Sequence, residues 1–278
     1  MLVRENSYGF RKRFEFAAAA LDGATSVLDL GCGTGNDLTA PLAERFPRVA
    51  FTGADSDPAS LEFARREHRL PNLRFEHLDE IGSKAFDLVI ASEVLEHVEE
   101  PSQFLAELHD RLEPNGRLVL TTPNGYGPFE LADLVETTLH RSGTWEAVRR
   151  GKRALVGGGS APTEERLNTL AESSPHVNFF SRRALEQVIK DGGFEVTDFR
   201  PRTLFCGFVL DYLDRSERLV RWNAAGADRF PRLSSGWMFV LRPTERPHPR
   251  SYPRNRYERS RRRWNLERCA DRSVETVR

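Results

Sequence analysis

A chain of 278 residues with 39% hydrophobic and 29% charged residues has the length and composition of an ordinary globular protein with a sizeable core. Its three cysteines, Cys32, Cys206 and Cys269, lie far apart without a C-x-x-C pair, so the sequence excludes a disulfide scaffold and a zinc knuckle and indicates a reducing compartment. The formal net charge is zero, but residues 242–278 hold twelve arginines against five acidic residues, a net charge of +7.

The apolar runs are too short to predict a membrane span or a secretion signal. The longest, residues 204–210, is far below the roughly 20 residues that a membrane helix needs. The apolar stretch at residues 16–21 is too short for the core of a signal peptide, and Glu15 lies beside it. We therefore expect a cytoplasmic protein.

Apolar runs of strand length alternate with segments of helical periodicity along the first half of the chain. The predicted strands span residues 26–30, 49–54, 72–76, 86–91 and 116–122. The predicted helices span residues 8–21, 36–46, 58–69 and 101–112. Strands separated by helices form a parallel sheet that is covered by helices on both faces, and the handedness of the crossovers makes such a sheet doubly wound.

The alternation stops after the fifth strand and resumes near residue 176. We interpret residues 125–175 as an insertion that forms a lid over the site, because so long an irregular segment in a compact domain is usually functional. A helix at residues 181–193 and strands at residues 194–200 and 235–243 follow it. Together these elements predict an α/β fold with a doubly wound, mostly parallel, seven-stranded sheet.

The composition changes after the last predicted strand. Residues 242–278 are rich in Arg, Pro and Ser and hold few aliphatic side chains, so they cannot bury much apolar surface. We therefore expect one domain at residues 1–241, with a site-forming half at residues 24–124 and a C-terminal half at residues 176–241. A disordered, Arg-rich tail is expected at residues 242–278.

The first strand runs directly into a glycine-rich turn, VLDLGCGTG, at residues 27–35. Gly31, Gly33 and Gly35 permit positive φ angles and the close approach of a ligand. Open α/β sheets bind nucleotides at this edge, where peptide N–H groups of the next helix face the ligand. The dinucleotide pattern G-x-G-x-x-G would need a glycine at Asn36, so the spacing disfavours an NAD-dependent oxidoreductase.

VLDLGCGTG resembles the first motif of the class I S-adenosylmethionine-dependent methyltransferases, and further segments follow in the order of that family. The resemblance implies a Rossmann-like methyltransferase fold, S-adenosylmethionine as the cofactor and methyltransferase activity. The segments FDLVIASEVLEHVEEP and FLAELHDRLEPNGRLVLTTPN resemble the branch of the family that contains quinone O-methyltransferases.

The same resemblance implies where the cofactor binds. Asp55 would accept hydrogen bonds from both ribose hydroxyls, whereas Asp57 is expected to cap the helix that begins at Pro58. Asp79 would reach the adenine amino group, with a turn position as the alternative. The expected cofactor-binding residues are Asp29, Gly31, Cys32, Gly33, Gly35, Asp55, Ser56, Leu78, Asp79, Ser92 and Glu93.

Methyl transfer from a sulfonium requires alignment, desolvation and a proton acceptor. His97 and His176 are the candidate catalytic residues, because imidazole can be neutral near pH 7. A structural position beside a helix is the alternative for both histidines. The resemblance places His176, in SSPHVNFFS, on the substrate side.

The pattern E-x-x-E-H at residues 93–97, followed by the distant His176, also resembles the metal site of small-RNA 2′-O-methyltransferases. Glu93, Glu96, His97 and His176 are therefore candidate ligands of a divalent cation, which would polarise two adjacent hydroxyls. The flanking sequence instead resembles the quinone-type branch, in which the pattern need not imply a cation.

The expected function is O-methylation of a small molecule, a quinone-like lipid or a glycan component. The alternatives are a metal-assisted RNA 2′-O-methyltransferase that uses the Arg-rich tail and a cofactor-binding scaffold without catalysis. The sequence has no recognisable RNA-binding module, which disfavours the RNA enzyme. The expected acceptor-selecting residues of the insertion are Tyr126, Phe129, Trp145, Arg149, Arg150, Lys152 and Arg153, with ordinary solvated charge as the alternative for the four basic residues.

Overall fold

The computed structural model of the chain describes residues 7–145, 147–148, 150–151, 174–204, 216–244 and 246–275. Its strands are β1 Ser26–Leu30, β2 Ala50–Asp55, β3 Leu73–His77, β4 Phe86–Ser92, β5 Leu112–Pro123, β6 Phe194–Pro201 and β7 Gly236–Pro243. Its longer helices are α1 Ser7–Ala19, α2 Thr39–Arg45, α3 Pro58–Glu67, α4 Pro101–His109, α5 Pro128–Arg141, α6 Arg182–Asp191, α7 Glu217–Arg229 and α8 Arg256–Glu275.

The seven strands form one sheet in the order β3-β2-β1-β4-β5-β7-β6. Strands β1 to β5 are parallel to one another, whereas β7 is antiparallel to both β5 and β6. The prediction of a doubly wound, mostly parallel, seven-stranded α/β fold is confirmed.

The central strands are buried along their length. Residues 27–30 of β1 and residues 88–91 of β4 are all buried, and both runs are almost entirely apolar. Continuous apolar runs are typical of parallel strands that have helices on both faces. Asp29 is the one acidic residue in these two runs, which marks it as a functional candidate.

Strand register brings three chain segments to the same edge of the sheet. Leu30 of β1 pairs with Ala54 of β2 on one side and with Ala91 of β4 on the other. The residues that follow these three positions therefore lie side by side at the carboxyl edge. Ligands of open α/β sheets bind at this edge.

The described part of the insertion begins with α5. Its remaining residues 146, 149 and 152–173 lie outside the described residues, so the expected basic residues Arg149, Lys152 and Arg153 have no structural account. The apolar residues 205–210, with Cys206, also lie outside them. Among the described residues, no helix has both the length and the apolar character that crossing a membrane requires.

The expectation of a disordered tail after residue 241 is wrong for the described residues of that segment. Strand β7 extends to Pro243, and α8 follows from Arg256 to Glu275. The ring of Tyr252 is buried against Phe180, with ring centroids 5.1 Å apart. Composition misleads here because acidic residues of the domain neutralise the arginines and tyrosines supply the apolar contact.

The C-terminal segment forms a bidentate ion pair with the rest of the domain. Both terminal nitrogens of Arg262 donate to the carboxylate of Glu99, at 2.7 and 2.5 Å. Glu99 follows the turn after β4, so the pair ties α8 to the carboxyl edge of the sheet. The pair is largely exposed and adds specificity of docking more than stability.

Replacing Tyr252 with alanine tests whether the C-terminal segment packs on the domain. The Tyr252 side chain is buried and its hydroxyl donates to Glu258 Oε1 at 3.0 Å, so Tyr252→Ala should lower the free energy of unfolding by about 3 kcal/mol. Arg263→Ala, at an exposed position of α8, should change it by less than about 0.5 kcal/mol. Urea unfolding that gives equal values for both variants would contradict the packing.

Candidate functional site

The glycine turn after β1 is shaped for a ligand. Gly31 has a φ of 77°, and a Cβ atom added there would collide with the side chain of Val94. The turn is anchored to β2 because Gly31 N and Cys32 N both donate to Ala54 O, at 2.7 and 3.1 Å. A larger residue at position 31 would therefore displace the turn that the cofactor is expected to contact.

Asp55 joins this turn to the end of β2. Its Oδ2 accepts from Gly33 N at 2.8 Å, and its Oδ1 accepts from Asp57 N at 2.9 Å. Asp57 points the other way and caps α3, accepting from Ala59 N and Ser60 N. The predicted cap by Asp57 is confirmed, whereas Asp55 holds the glycine turn and its ribose contact stays a prediction.

A cavity of about 230 Å³ opens at the carboxyl ends of β1 and β4. Six of the eleven expected cofactor residues line it: Asp29, Gly31, Cys32, Gly33, Ser92 and Glu93. The other lining residues are Arg13, Thr34, Asp37, Leu38 and Ser60. Gly35, Asp55, Ser56, Leu78 and Asp79 lie outside this lining, and the Asp79 side chain is 91% exposed beside His77.

Asp29 is held at the base of the cavity by α2. It is buried, and its Oδ2 accepts from Thr39 Oγ1 at 2.5 Å. Burial raises the pKa of Asp29 to about 6, although the hydrogen bond from Thr39 opposes the shift. The contact fixes the start of α2, and with it the peptide groups that face the cavity.

Arg13 of α1 lines the other side of the cavity. Its guanidinium is buried and donates to Ser92 Oγ at 3.2 Å and to Asp37 Oδ2 at 3.5 Å. The sequence analysis missed this residue. Its signal is its position in α1, where it precedes the buried Phe16 and Ala17 by three and four residues and so lies on the same face.

Glu93 has an unusual backbone at the end of β4. Its φ of 59° is positive, which among the described residues is the case for no other residue except glycine. Its carboxylate accepts from Thr121 Oγ1 at 2.7 Å and forms an ion pair with the buried Arg202. Burial would raise the pKa of Glu93, but Arg202 and Arg13 outweigh burial and lower it, so Glu93 stays ionised.

Glu96 and His97 follow in the short helical turn Leu95–His97. Glu96 is buried and its Oε2 accepts from Thr122 Oγ1 at 3.2 Å. Burial and the nearby Glu93 raise the pKa of Glu96 to about 8, so its carboxyl group is largely protonated at neutral pH. Burial and His176 lower the pKa of His97 to about 4, so its imidazole is neutral at the same pH.

The two predicted histidines meet although they lie far apart in sequence. Their ring centroids are 4.9 Å apart in an edge-to-face arrangement. His97 Nδ1 lies 3.1 Å from Pro175 O, and His176 Nδ1 lies 2.7 Å from Glu130 Oε1 of α5. In each ring the protein engages Nδ1, which leaves Nε2 to accept a proton or to bind a ligand.

His176 is buried, and two opposing effects act on its pKa. Burial lowers the pKa of His176, but the Glu130 carboxylate outweighs burial and the net direction is upward. Glu130 in turn accepts from Arg261 of α8 at 3.0 Å. Glu130, Arg202 and Arg261 were not predicted from the sequence, because each meets its partner on a distant segment only in the fold.

A cation could also be held here. Ligand atoms of Glu96, His97 and His176 lie within 4.8 Å of one another, and no other such group occurs in the part of the chain that the structure describes. Glu93, the fourth candidate ligand, is not in this group, and its carboxylate is paired with Arg202. Two histidines and one carboxyl group suit a divalent transition metal.

Comparisons with known proteins fit this geometry. A family model described as a methyltransferase domain matches residues 2–198. Trans-aconitate 2-methyltransferase from Azoarcus sp. is 31% identical over 182 residues, which are 64% of this chain and 67% of that protein. The mitochondrial ubiquinone biosynthesis O-methyltransferase of Schizosaccharomyces pombe is 39% identical over 106 residues, 34% of this chain and 37% of that protein.

Solved structures agree with the fold. PKMT2 from Rickettsia typhi has a TM-score of 0.55 at 14% identity, covering 91% of this chain and 57% of that chain, and a second structure of PKMT2 holds AdoHcy. The chain spans 37% of the length of each of the first two curated relatives that it matches.

Asp55 and Asp57 provide a matched pair for testing the ribose assignment. Asp55→Ala should weaken binding of S-adenosylhomocysteine by about 1–3 kcal/mol, because it removes a charged hydrogen-bond acceptor. Asp57→Ala should instead lower the free energy of unfolding by about 1 kcal/mol through loss of the cap, with little change in affinity. Calorimetric titration that finds Asp55→Ala equal to the unmodified protein would overturn the assignment.

Proposed function

Because the chain belongs to the S-adenosylmethionine-dependent methyltransferases, we propose that it methylates a hydroxyl oxygen of a small acceptor molecule. The acceptor classes that fit are a phenol-like hydroxyl of a quinone-type lipid and a hydroxyl of a glycan component. The O-methyltransferase among the relatives supports an oxygen acceptor. The contact between the half-buried His97 and the buried His176 is the observation that carries the proposal.

A hydroxyl acceptor needs a group in the site that takes its proton, whereas a carboxylate acceptor does not. A hydroxyl oxygen must lose its proton as the new O–C bond forms, whereas a carboxylate is already deprotonated at neutral pH. A buried imidazole that leaves Nε2 unengaged can take that proton. The histidine pair therefore favours a hydroxyl acceptor over the polycarboxylate substrate that the name of the Azoarcus relative states.

When bound, S-adenosylmethionine supplies a methyl group on a positively charged sulfur, which accepts the electron pair of the breaking S–C bond. Gly31 and Gly33 would permit its close approach to the backbone, and Asp55, which accepts from Gly33 N, would also accept from its ribose hydroxyls. Ser92 and Glu93 line the cavity, and Glu93 precedes His97 by four residues in the chain.

His176 takes the acceptor proton at Nε2 in this proposal. Glu130 accepts from Nδ1 and stabilises the imidazolium that forms. His97 stays neutral and orders the ring of His176 by its edge-to-face contact. The proton can leave the site afterwards through solvent when the methylated product is released.

Removing the imidazole tests the proton-acceptor assignment. His176→Gln should lower kcat about 100-fold with unchanged affinity for S-adenosylhomocysteine, because positioned proton transfer contributes at least that much. The assay transfers a labelled methyl group to a panel of phenols, sugars and polycarboxylates. Fast turnover of trans-aconitate, insensitive to His176→Gln, would contradict the proposal.

The role of His176 sets the direction in which turnover changes with pH. His176 accepts a proton only when it is neutral, so turnover of the intact protein should rise with pH as the imidazolium is lost. Since Glu130 holds the pKa of His176 above 6.5, the rise should be centred above pH 6.5. The residual activity of His176→Gln should lack this rise, and an identical rise in that variant would argue against His176.

A divalent cation bound by Glu96, His97 and His176 is the alternative use of the same cluster. Such an ion would polarise the acceptor hydroxyl and replace the proton acceptor. We expect turnover to be unchanged by EDTA and by added magnesium or manganese. Loss of turnover in EDTA, restored by one of these ions, would favour the metal over the imidazole.

A further inference from the structure

The C-terminal helix has a buried polar face that points at the histidine pair. Arg261 and Asn265 of α8 are 4% and 2% exposed, and both form hydrogen bonds around His176. The arginines Arg256, Arg259 and Arg263 on the other faces of the helix are exposed. A solvated basic helix would expose all its arginines equally, so this division requires an explanation.

We propose that α8 is a positioning element of the acceptor site, which holds His176 with Nδ1 toward Glu130 and leaves Nε2 to accept the proton. This inference rests on the proposed function, because it assigns the residues that keep the proton acceptor in the productive orientation. The positioning residues are Arg261, which acts through Glu130, and Asn265, which acts through the backbone of His176.

Arg261 acts on the carboxylate that orients the ring. Its Nη2 donates to Glu130 Oε2 at 3.0 Å, while the other oxygen of Glu130 lies 2.7 Å from His176 Nδ1. All three side chains are buried. A carboxylate with its two oxygens fixed in this way has no freedom to turn, so the imidazole is fixed as well.

The charges of α5 and α8 balance one another. Glu130 and Asp133 lie three residues apart on the same face of α5, and both are buried. Arg261 contacts both carboxylates, and Arg268 donates to Asp133 Oδ1 at 3.3 Å. Without α8, two buried carboxylates would face each other without a cation, which is a costly arrangement. Glu130 therefore depends on α8 for its place beside His176.

The C-terminal segment also fixes the backbone on both sides of the site. Asn265 Nδ2 donates to His176 O at 3.1 Å. Arg254, just before α8, donates through Nη2 to Asn178 Oδ1 at 2.8 Å. Asn178 in turn donates to Leu95 O at 3.1 Å and thereby holds the turn that contains Glu96 and His97. One segment thus sets the distance between the two histidines.

The test reads the His176 tautomer directly and does not require the acceptor to be known. The full chain is labelled with ¹⁵N-histidine, and long-range ¹H–¹⁵N correlation spectra report which ring nitrogen carries the proton in the neutral imidazole. The His176 signal is assigned by its absence in His176→Gln. We expect the unmodified protein to show His176 protonated at Nδ1.

Arg261→Gln should convert the His176 signal to a mixture of both neutral tautomers, and Arg261→Lys should retain more of the Nδ1–H form. Arg263→Gln, on the exposed face of the same helix, is the matched control and should leave the signal unchanged. A folded Arg261→Gln protein with an unaltered Nδ1–H signal would overturn the proposal.

Arg261→Gln removes the buried cation that Glu130 and Asp133 share and leaves these carboxylates with His176 and Arg268 as partners, so the variant can unfold. The double variant Arg261→Gln/Asp133→Asn removes one of these charges, and Asn265→Ala removes only a neutral hydrogen bond. Either should give the tautomer mixture in a folded protein. If both keep the Nδ1–H signal of the unmodified protein, the proposal is wrong.

Turnover separates this proposal from the proposed function. With a hydroxyl acceptor from the panel, Arg261→Gln should lower kcat by about 10- to 100-fold and leave KM for S-adenosylmethionine unchanged, as expected of a positioning residue. If the tautomer changes but no hydroxyl acceptor is methylated, the positioning inference holds and the proposed function fails. If hydroxyl methylation depends on His176 but the tautomer does not depend on α8, the proposed function holds and the positioning inference fails.

Discussion

Every acidic side chain that is buried at the carboxyl edge of the sheet must either find a partner or give up its charge. The buried Asp29 accepts from Thr39 and the buried Glu130 pairs with Arg261, and the half-buried Glu93 pairs with Arg202, in each case across two different elements. Desolvation of an unpaired carboxylate is so costly that these contacts fix where α2, the end of β6 and α8 lie. Glu96 has no such cation, and its raised pKa means that it is protonated instead.

The site has two halves that are built by different parts of the chain. The cofactor half is built by the sheet itself, since register alone places the glycine turn, Asp55 and Ser92 side by side. The acceptor half is built by segments outside the first five strands, namely α5, the residues around His176 and α8. Glu93 lies between the halves, because it lines the cavity and also influences the charge of Glu96. The first half carries the features of the family, and in our proposal the second half selects the acceptor.

The strands, the glycine turn and the cap of α3 could be predicted from the sequence because their signals are local. Apolar runs locate the strands, three glycines mark the turn, and Asp57 precedes Pro58 as a cap should. The acceptor half was predicted only in part. His97 and His176 stood out as residue types, but their partners Glu130 and Arg261 are separated by 131 residues and look like ordinary surface charges in sequence. The same reasoning mistook α8 for a solvated tail, because composition does not reveal that acids elsewhere neutralise its arginines.

The central claim is that a methyl group reaches a hydroxyl oxygen with the help of a buried imidazole. The most direct measurement supplies S-adenosylmethionine with a ¹³C-labelled methyl group and reads the carbon chemical shift of the new methyl in the product. The account predicts an O-methyl ether, formed at a rate that falls strongly in His176→Gln. A methyl group on nitrogen or carbon, or an ester of a carboxylate formed at the same rate in that variant, would contradict it.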